Sequence, residues 1–312
     1  MILTTAWRAV ALVVVSWALI GCGGDDGGRA PGDRPKVAAT TMQLADIVRN
    51  VAGDRAEVVG LLTANADPHD YEPEPSDAEA LIDSSLILKS GGGLDAWMDE
   101  LIDSSGTDAP VVEMLDVVTT IDAPDGSPDP HWWHDPRNAV LAVQEIADQL
   151  ADVDPEGAEE YEANAERYSG SIERLDRSIE ACVGRVPAAD RKLVTSHDSL
   201  AYLADRYAIE VVGAAIPALT TQAQASAGEV AELVDLIRSE GIPAVFPEAG
   251  LSGELEAAIA VDADAEVGGE LFADTLGATG SGADTYLGAL AGNARTLADG
   301  LGAAEAACEL PG

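Results

Sequence analysis

Four histidines occur in 312 residues, and two of them share the octapeptide DPHWWHDP at residues 129–136. A neutral imidazole is a good ligand for divalent transition metals, provided that its ring is held in one direction. Asp135 followed by Pro136 reads as a helix start, with Asp as N-cap and Pro at the first helical position. That start would fix the backbone just before it and hold His131 on a rigid turn. His69 lies in NADPHDYEPEPSD at 65–77, a loop stiffened by three prolines. A carboxylate next to such a histidine could hold its free ring nitrogen. His197 follows a short apolar run and precedes Asp198. Imidazoles used so sparingly, each at the edge of an element, point to metal ligation. A surface aromatic loop with incidental histidines is the alternative, and the octapeptide alone leaves both open.

The elements that must position these residues alternate. Residues 36–40, 57–62, 84–89 and 110–114 read as strands. Helical spacing runs through Leu44, Ile47, Val48 and Val51, and helices are expected at about 77–83 and 94–105. Ser76 with Glu79 is expected to form a capping box. Strands alternating with helices imply a parallel sheet covered on both faces, which binds ligands at the carboxyl ends of its strands. His69 falls at such an end. Residues 138–150 form an amphipathic helix. Asp154 and Pro155 then open a longer one, whose apolar stripe is Tyr161, Ala165, Tyr168, Ile172, Leu175, Ile179 and Cys182. Gly184 and Pro187 end it. About 30 residues at 1.5 Å each make a rod of roughly 45 Å. Further strands are expected at 192–196, 210–213 and 243–246, with helices reaching 207 and spanning 228–241 and 286–301.

The net charge is -39. Phosphate binding needs Lys and Arg, so nucleic acid is excluded as a partner. A field of that sign attracts cations, but solubility, as in a salty habitat, is the preferred explanation of the bulk acidity. With 47% hydrophobic and 4% aromatic residues, Ala, Val, Leu and Ile must do most of the packing. Residues 1–22 carry Arg8, an apolar run and Gly21-Cys22, the layout of an export signal. Leu19-Ile20-Gly21-Cys22 resembles a bacterial lipobox, which implies cleavage before Cys22 and a lipid on its thiol. Residues 23–35 are Gly- and Asp-rich, the composition of a flexible tether. The remaining cysteines, Cys182 and Cys308, are expected to form a disulfide in an oxidising compartment; two separately buried thiols are the alternative.

Asp67, Pro68 and His69 with Tyr71, Glu72, Pro73, Pro75, Ser76 and Asp77 resemble the first signature of the zinc- and manganese-binding proteins of ABC importers, the cluster A-I or ZnuA/TroA-like solute-binding proteins. Asp129, Pro130 and His131 with Trp133, Asp135 and Pro136 resemble the second. Thr195, Ser196, His197 and Asp198 with Tyr202 and Leu203 resemble the third. The resemblance covers nearly the whole mature chain. It implies an α/β fold of two lobes, each a mostly parallel sheet flanked by helices, joined by one long rigid helix. The lobes would be residues 36–152 and 186–312, with the helix at 153–185. It also implies His69, His131, His197 and Asp274 as ligands, two from each lobe. His131 is preferred to His134 because it carries the Asp-Pro-His match; His134 is expected at the rim, as a reserve ligand or an orienting residue. Glu248, at a strand end, is a reserve ligand or an orienting carboxylate. A permease of an ABC importer is the implied partner, with the protein an exported, lipid-anchored monomer on the outer face of the cytoplasmic membrane. The linker at 116–130 lacks the extra histidines of many zinc-type members.

Three imidazoles and one carboxylate suit Zn²⁺ in near-tetrahedral geometry, whereas Mn²⁺ prefers more oxygens. Manganese is therefore the alternative cargo. An exported zinc hydrolase is a weaker rival, because it needs an open coordination position and a general base, and no HExxH is present. Cell adhesion, reported for some members of the resembled family, finds no adhesive repeat here.

Overall fold

The computed structural model describes residues 34–302 except 124, together with 308 and 310. The export signal, Cys22 and most of the tether lie outside the described residues. Among them, no helix is long and apolar enough to cross a membrane.

The first lobe alternates strictly: β1 (Lys36–Ala39), α1 (Met42–Ala52), β2 (Glu57–Gly60), α2 (Pro75–Ile82), β3 (Leu86–Lys89), α3 (Trp97–Ser105) and β4 (Val111–Glu113). Connections that long bring each strand back in the same direction, so all pairings are parallel, in the order β2-β1-β3-β4. Helices cover both faces, which is why β3 is buried along its whole length. The α2 start differs from the expected capping box. Pro75 takes the first helical position, so the cap falls on Glu74, whose N–H donates to Asp77 at 2.7 Å.

Asp135 caps α4 (Pro136–Val153), its carboxylate accepting from the Arg137 N–H. A 3₁₀ turn at Pro155–Gly157 then precedes α5 (Ala158–Val183). That turn shortens the expected rod: 26 residues span about 39 Å. Asp154 turns its carboxylate away from a capping role, to Arg55 and the Tyr161 hydroxyl. The whole apolar stripe of α5 is buried. Polar contacts fix it to both halves. Asn164 donates to the Val51 carbonyl in α1, and Asp176 accepts from Arg206 and Tyr207.

The second lobe runs β5 (Lys192–His197), α6 (Ala201–Tyr207), β6 (Glu210–Ile216), α7 (Ala227–Glu240), β7 (Ala244–Val245), α8 (Glu254–Ala263), β8 (Glu266–Val267) and α9 (Tyr286–Gly300). β5 pairs β6 and β7 pairs β8, both parallel. A parallel bridge from Thr195 to Phe246 joins the pairs, giving β6-β5-β7-β8, and one from Glu248 to Leu271 continues the β7–β8 pairing. This repeats the second-first-third-fourth order of the first lobe. Helix α8 was not expected: its ELEAAIAVDA sequence has almost no apolar face against polar face to read. The Cys182–Cys308 disulfide is present, with Cα atoms 5.1 Å apart. It ties the chain end to the end of α5.

Candidate metal centre

Four side chains converge between the lobes. His69 sits on the 3₁₀ turn Pro68–Asp70 that follows β2. Asp67 caps this turn by accepting the His69 backbone N–H at 2.9 Å, and Trp97 donates its indole N–H to the Pro68 carbonyl. Tyr71 packs on the Trp97 ring and donates to Asp77. The stiffness expected of the loop therefore comes from an aromatic brace as well as from proline.

His131 is buried, and Asp129 holds it twice. One carboxylate oxygen accepts both the backbone N–H at 2.9 Å and the ring Nδ1–H at 2.7 Å. That fixes Nε2 as the free, unprotonated nitrogen. His197 ends β5 and has the same arrangement from a distant residue. Glu248 accepts its backbone N–H at 2.9 Å and its Nδ1–H at 2.8 Å, and also takes the Thr195 hydroxyl. Orienting carboxylates thus sit behind His131 and His197, whereas Asp67 orients His69 through its backbone.

Asp274 completes the group. Its oxygens lie 3.3 Å from Nε2 of His69, 3.3 Å from Nε2 of His197 and 3.6 Å from Nε2 of His131. The His69 and His131 Nε2 atoms are 3.4 Å apart. Ligand bonds of roughly 2.0–2.2 Å in a tetrahedron place donors roughly 3.3–3.6 Å from one another. One atom from each of the four residues lies within 4.8 Å of the others. Among the described residues, both Asp274 oxygens and His197 Nε2 are buried without a hydrogen bond. Buried acceptors are costly unless something satisfies them, and a cation at their centre would satisfy all of them.

The electrostatics have a clear sense. Burial opposes charge on His197, but the Glu248 and Asp274 carboxylates outweigh it and hold the imidazole well above the ordinary histidine range. Burial would likewise raise the Asp274 carboxyl, yet His197 and His131 hold it well below the carboxylate range. The pocket is built to stabilise positive charge beside Asp274.

His134 does not join the group. It is buried, not at the rim, and both its ring nitrogens lack a hydrogen-bond partner among the described residues. Burial pushes it down to about 3, with His131 adding to the effect, so it is neutral. Glu248 serves as the orienting carboxylate of His197 and does not stand among the four converging residues. Sequence reading did not find Asp129 in this role, although an Asp two residues before a His is a local turn signal. Nor did it find Trp97 or Gln43. Gln43 and Trp133 both donate to the Ala273 carbonyl at 3.0 Å and so fix the backbone next to Asp274.

The site opens at His69 into a cleft of about 540 Å³ that Pro130 and Asp198 also line.

A family profile described as zinc-uptake complex component A, periplasmic, matches residues 37–300. The manganese-binding lipoprotein MntA of Halalkalibacterium halodurans is 32% identical over 296 residues, covering 93% of this chain and 96% of that protein. The iron-binding protein YfeA of Yersinia pestis is 31% identical over 271 residues, covering 86% of each. Among solved structures, the periplasmic zinc-binding protein TroA from Treponema pallidum is similar with a TM-score of 0.82 at 28% identity, covering 86% of this chain and 99% of that one. With nearly the whole described chain matched in sequence and in its two-lobed fold, the protein belongs to the zinc-uptake component A family, the extracytoplasmic metal-binding proteins that serve ABC importers.

Proposed function

We propose that His69, His131, His197 and Asp274 hold one divalent cation, zinc before manganese, as cargo for the permease of an ABC importer. One observation carries this reading: four donor side chains from both lobes converge, with one atom of each within 4.8 Å of the others and four of their separations at 3.3–3.6 Å. Three neutral nitrogens and one anionic oxygen favour Zn²⁺ over the oxygen-seeking Mn²⁺ on intrinsic affinity. Manganese stays in view because relatives such as MntA are named for it, and a bidentate Asp274 would add an oxygen. Four protein ligands leave no position for a reactive water, which argues for binding and against hydrolysis. A lipid on Cys22 would keep the protein at the outer face of the membrane, where a monomer can meet its permease.

Protein purified without added metal is analysed for zinc and manganese, then titrated competitively with both. Zinc bound at one per chain, and lost in His197→Ala without loss of the metal-free fold, is the expected result. Binding only to the folded state should also raise the melting temperature with zinc above that with EDTA. Equal melting curves, or an unchanged titration in His197→Ala, would reject the assignment.

A further inference from the structure

The loop after β6 reaches across the cleft to the turn that carries His69. Thr221 donates its hydroxyl to the Asp67 carboxylate at 2.5 Å, and Gln222 donates its amide to Asp70 at 3.1 Å. These are the caps and flanks of the His69 turn: the other oxygen of Asp67 accepts the His69 N–H. At its near end the same loop is bound beside His197. Ile216 is the register partner of His197, and the Ala218 carbonyl accepts the Asp198 N–H at 3.0 Å. One five-residue span therefore links the mounts of two proposed ligands from opposite lobes.

The loop also separates two spaces. Thr220 and Gln222 line the open cleft of about 540 Å³. Thr221, between them, lines instead a cavity of about 10 Å³ together with Asp67, Glu248 and Asp274. That is room for about one water.

Resting on the metal-binding reading above, we propose that Thr221 is a latch residue: its bond to Asp67 holds the cleft shut over a bound divalent cation and sets the rate at which that cation leaves. The bond is charge-assisted and half-buried, so it is stronger than an ordinary surface hydrogen bond. It touches no proposed ligand atom, so its loss should leave the ligand set intact and act mainly on release.

The test uses the full mature chain loaded with Zn²⁺ and mixed with excess chromogenic chelator in a stopped-flow instrument. Thr221→Val keeps the shape and removes the hydroxyl; Thr221→Ser keeps the hydroxyl. Release from the Val variant should be about tenfold faster, with Ser within about twofold of wild type and the metal-free melting temperature within a few degrees of wild type in both. Thr221→Ala gives the same comparison if Val disturbs the metal-free fold. Wild-type release rates in the Val or Ala variant overturn the latch while leaving the metal site standing. Equally fast release from Val and Ser also overturns it, because the shape of the loop would then matter and the hydroxyl would not. A wild-type chain that retains no zinc on desalting overturns the metal-binding reading and the latch with it.

Discussion

Replacing Glu248 by Gln should weaken metal binding by about 10–100-fold, although Glu248 touches no cation in the proposed site. The carboxylate is buried and surrounded by donors: the His197 backbone N–H, the His197 Nδ1–H and the Thr195 hydroxyl. Both oxygens must accept. A glutamine offers one accepting oxygen and one donating NH₂ in the same space. If the NH₂ faces Nδ1, the imidazole must move its proton to Nε2, and the lone pair that should meet the cation is gone. If the oxygen faces Nδ1 instead, the NH₂ meets the other donors, and a buried donor is left without a partner at about 1–3 kcal/mol. A loss of 10–100-fold corresponds to about 1.4–2.7 kcal/mol, within that range. Chelator-competition titration of zinc measures it, with a melting curve of the metal-free variant to show that the fold survives. A folded Glu248→Gln protein with zinc affinity within about twofold of wild type would refute the claim that this carboxylate sets the His197 tautomer.

Zinc affinity should fall as pH falls, starting above the ordinary histidine value of about 6.5. His197 is held above that value when no cation is bound, so a proton competes for Nε2 across that window. The sign for the metal-free protein is opposite: protonated His197 contributes stability that is full below about pH 6.5 and lost as pH rises through the raised value. Zinc titrations and metal-free melting curves from pH 5 to 9 check both slopes. Reducing Cys182–Cys308 frees a closed span of 126 residues, which on a chain-entropy estimate lowers stability by about 5 kcal/mol. Denaturant melts with and without reductant measure it, with zinc affinity little changed because the disulfide lies at the end of α5. His134→Leu should leave zinc affinity within about twofold and raise the metal-free melting temperature by a few degrees, because two buried, unpartnered nitrogens disappear. A tenfold loss of affinity would make His134 part of the site after all.

The three histidines of the candidate site were legible because histidine is scarce here and each stands where a strand or turn ends. The parallel sheets were legible from β–α alternation, and α4 from Asp135 and Pro136. Asp274 was legible only by resemblance, being one of 56 acidic residues with no local signal of its own. Glu248 could be placed at a strand end, but its partner His197 lies 51 residues away, and only the folded sheet brings β5 and the end of β7 side by side. The cap of α2 was misread because two overlapping signals compete there, and Pro75 decides in favour of the earlier start. Helix α8 was missed for a different reason: it packs through Ile259, Ala260 and Ala263 but exposes Val261, so apolar residues run round it and leave little periodic contrast.

Counting two ligands from each half understates how the site is built. The chain around Asp274 belongs by sequence to the second lobe, which binds it at Leu271 and Phe272, and the first lobe holds it as well. Gln43 and Trp133 both bind the Ala273 carbonyl, and the Asn65 N–H donates to the Thr275 hydroxyl. Tyr286, at the start of α9, donates its backbone N–H to Asp46 of α1 and its hydroxyl to the Trp133 carbonyl. His69, His131 and Asp274 therefore share one frame. His197 stands apart from it, mounted with Glu248 on the β6-β5-β7-β8 sheet. With α5 pinned to α1 by Asn164 and to α6 by Asp176, a wide swing of the lobes is resisted. What is left is a small shift of one sheet edge against a three-ligand frame. On the proposed ligand set such a shift would suffice for release, because a displacement of about 1 Å is large against a bond of about 2 Å and would strip the cation of one imidazole.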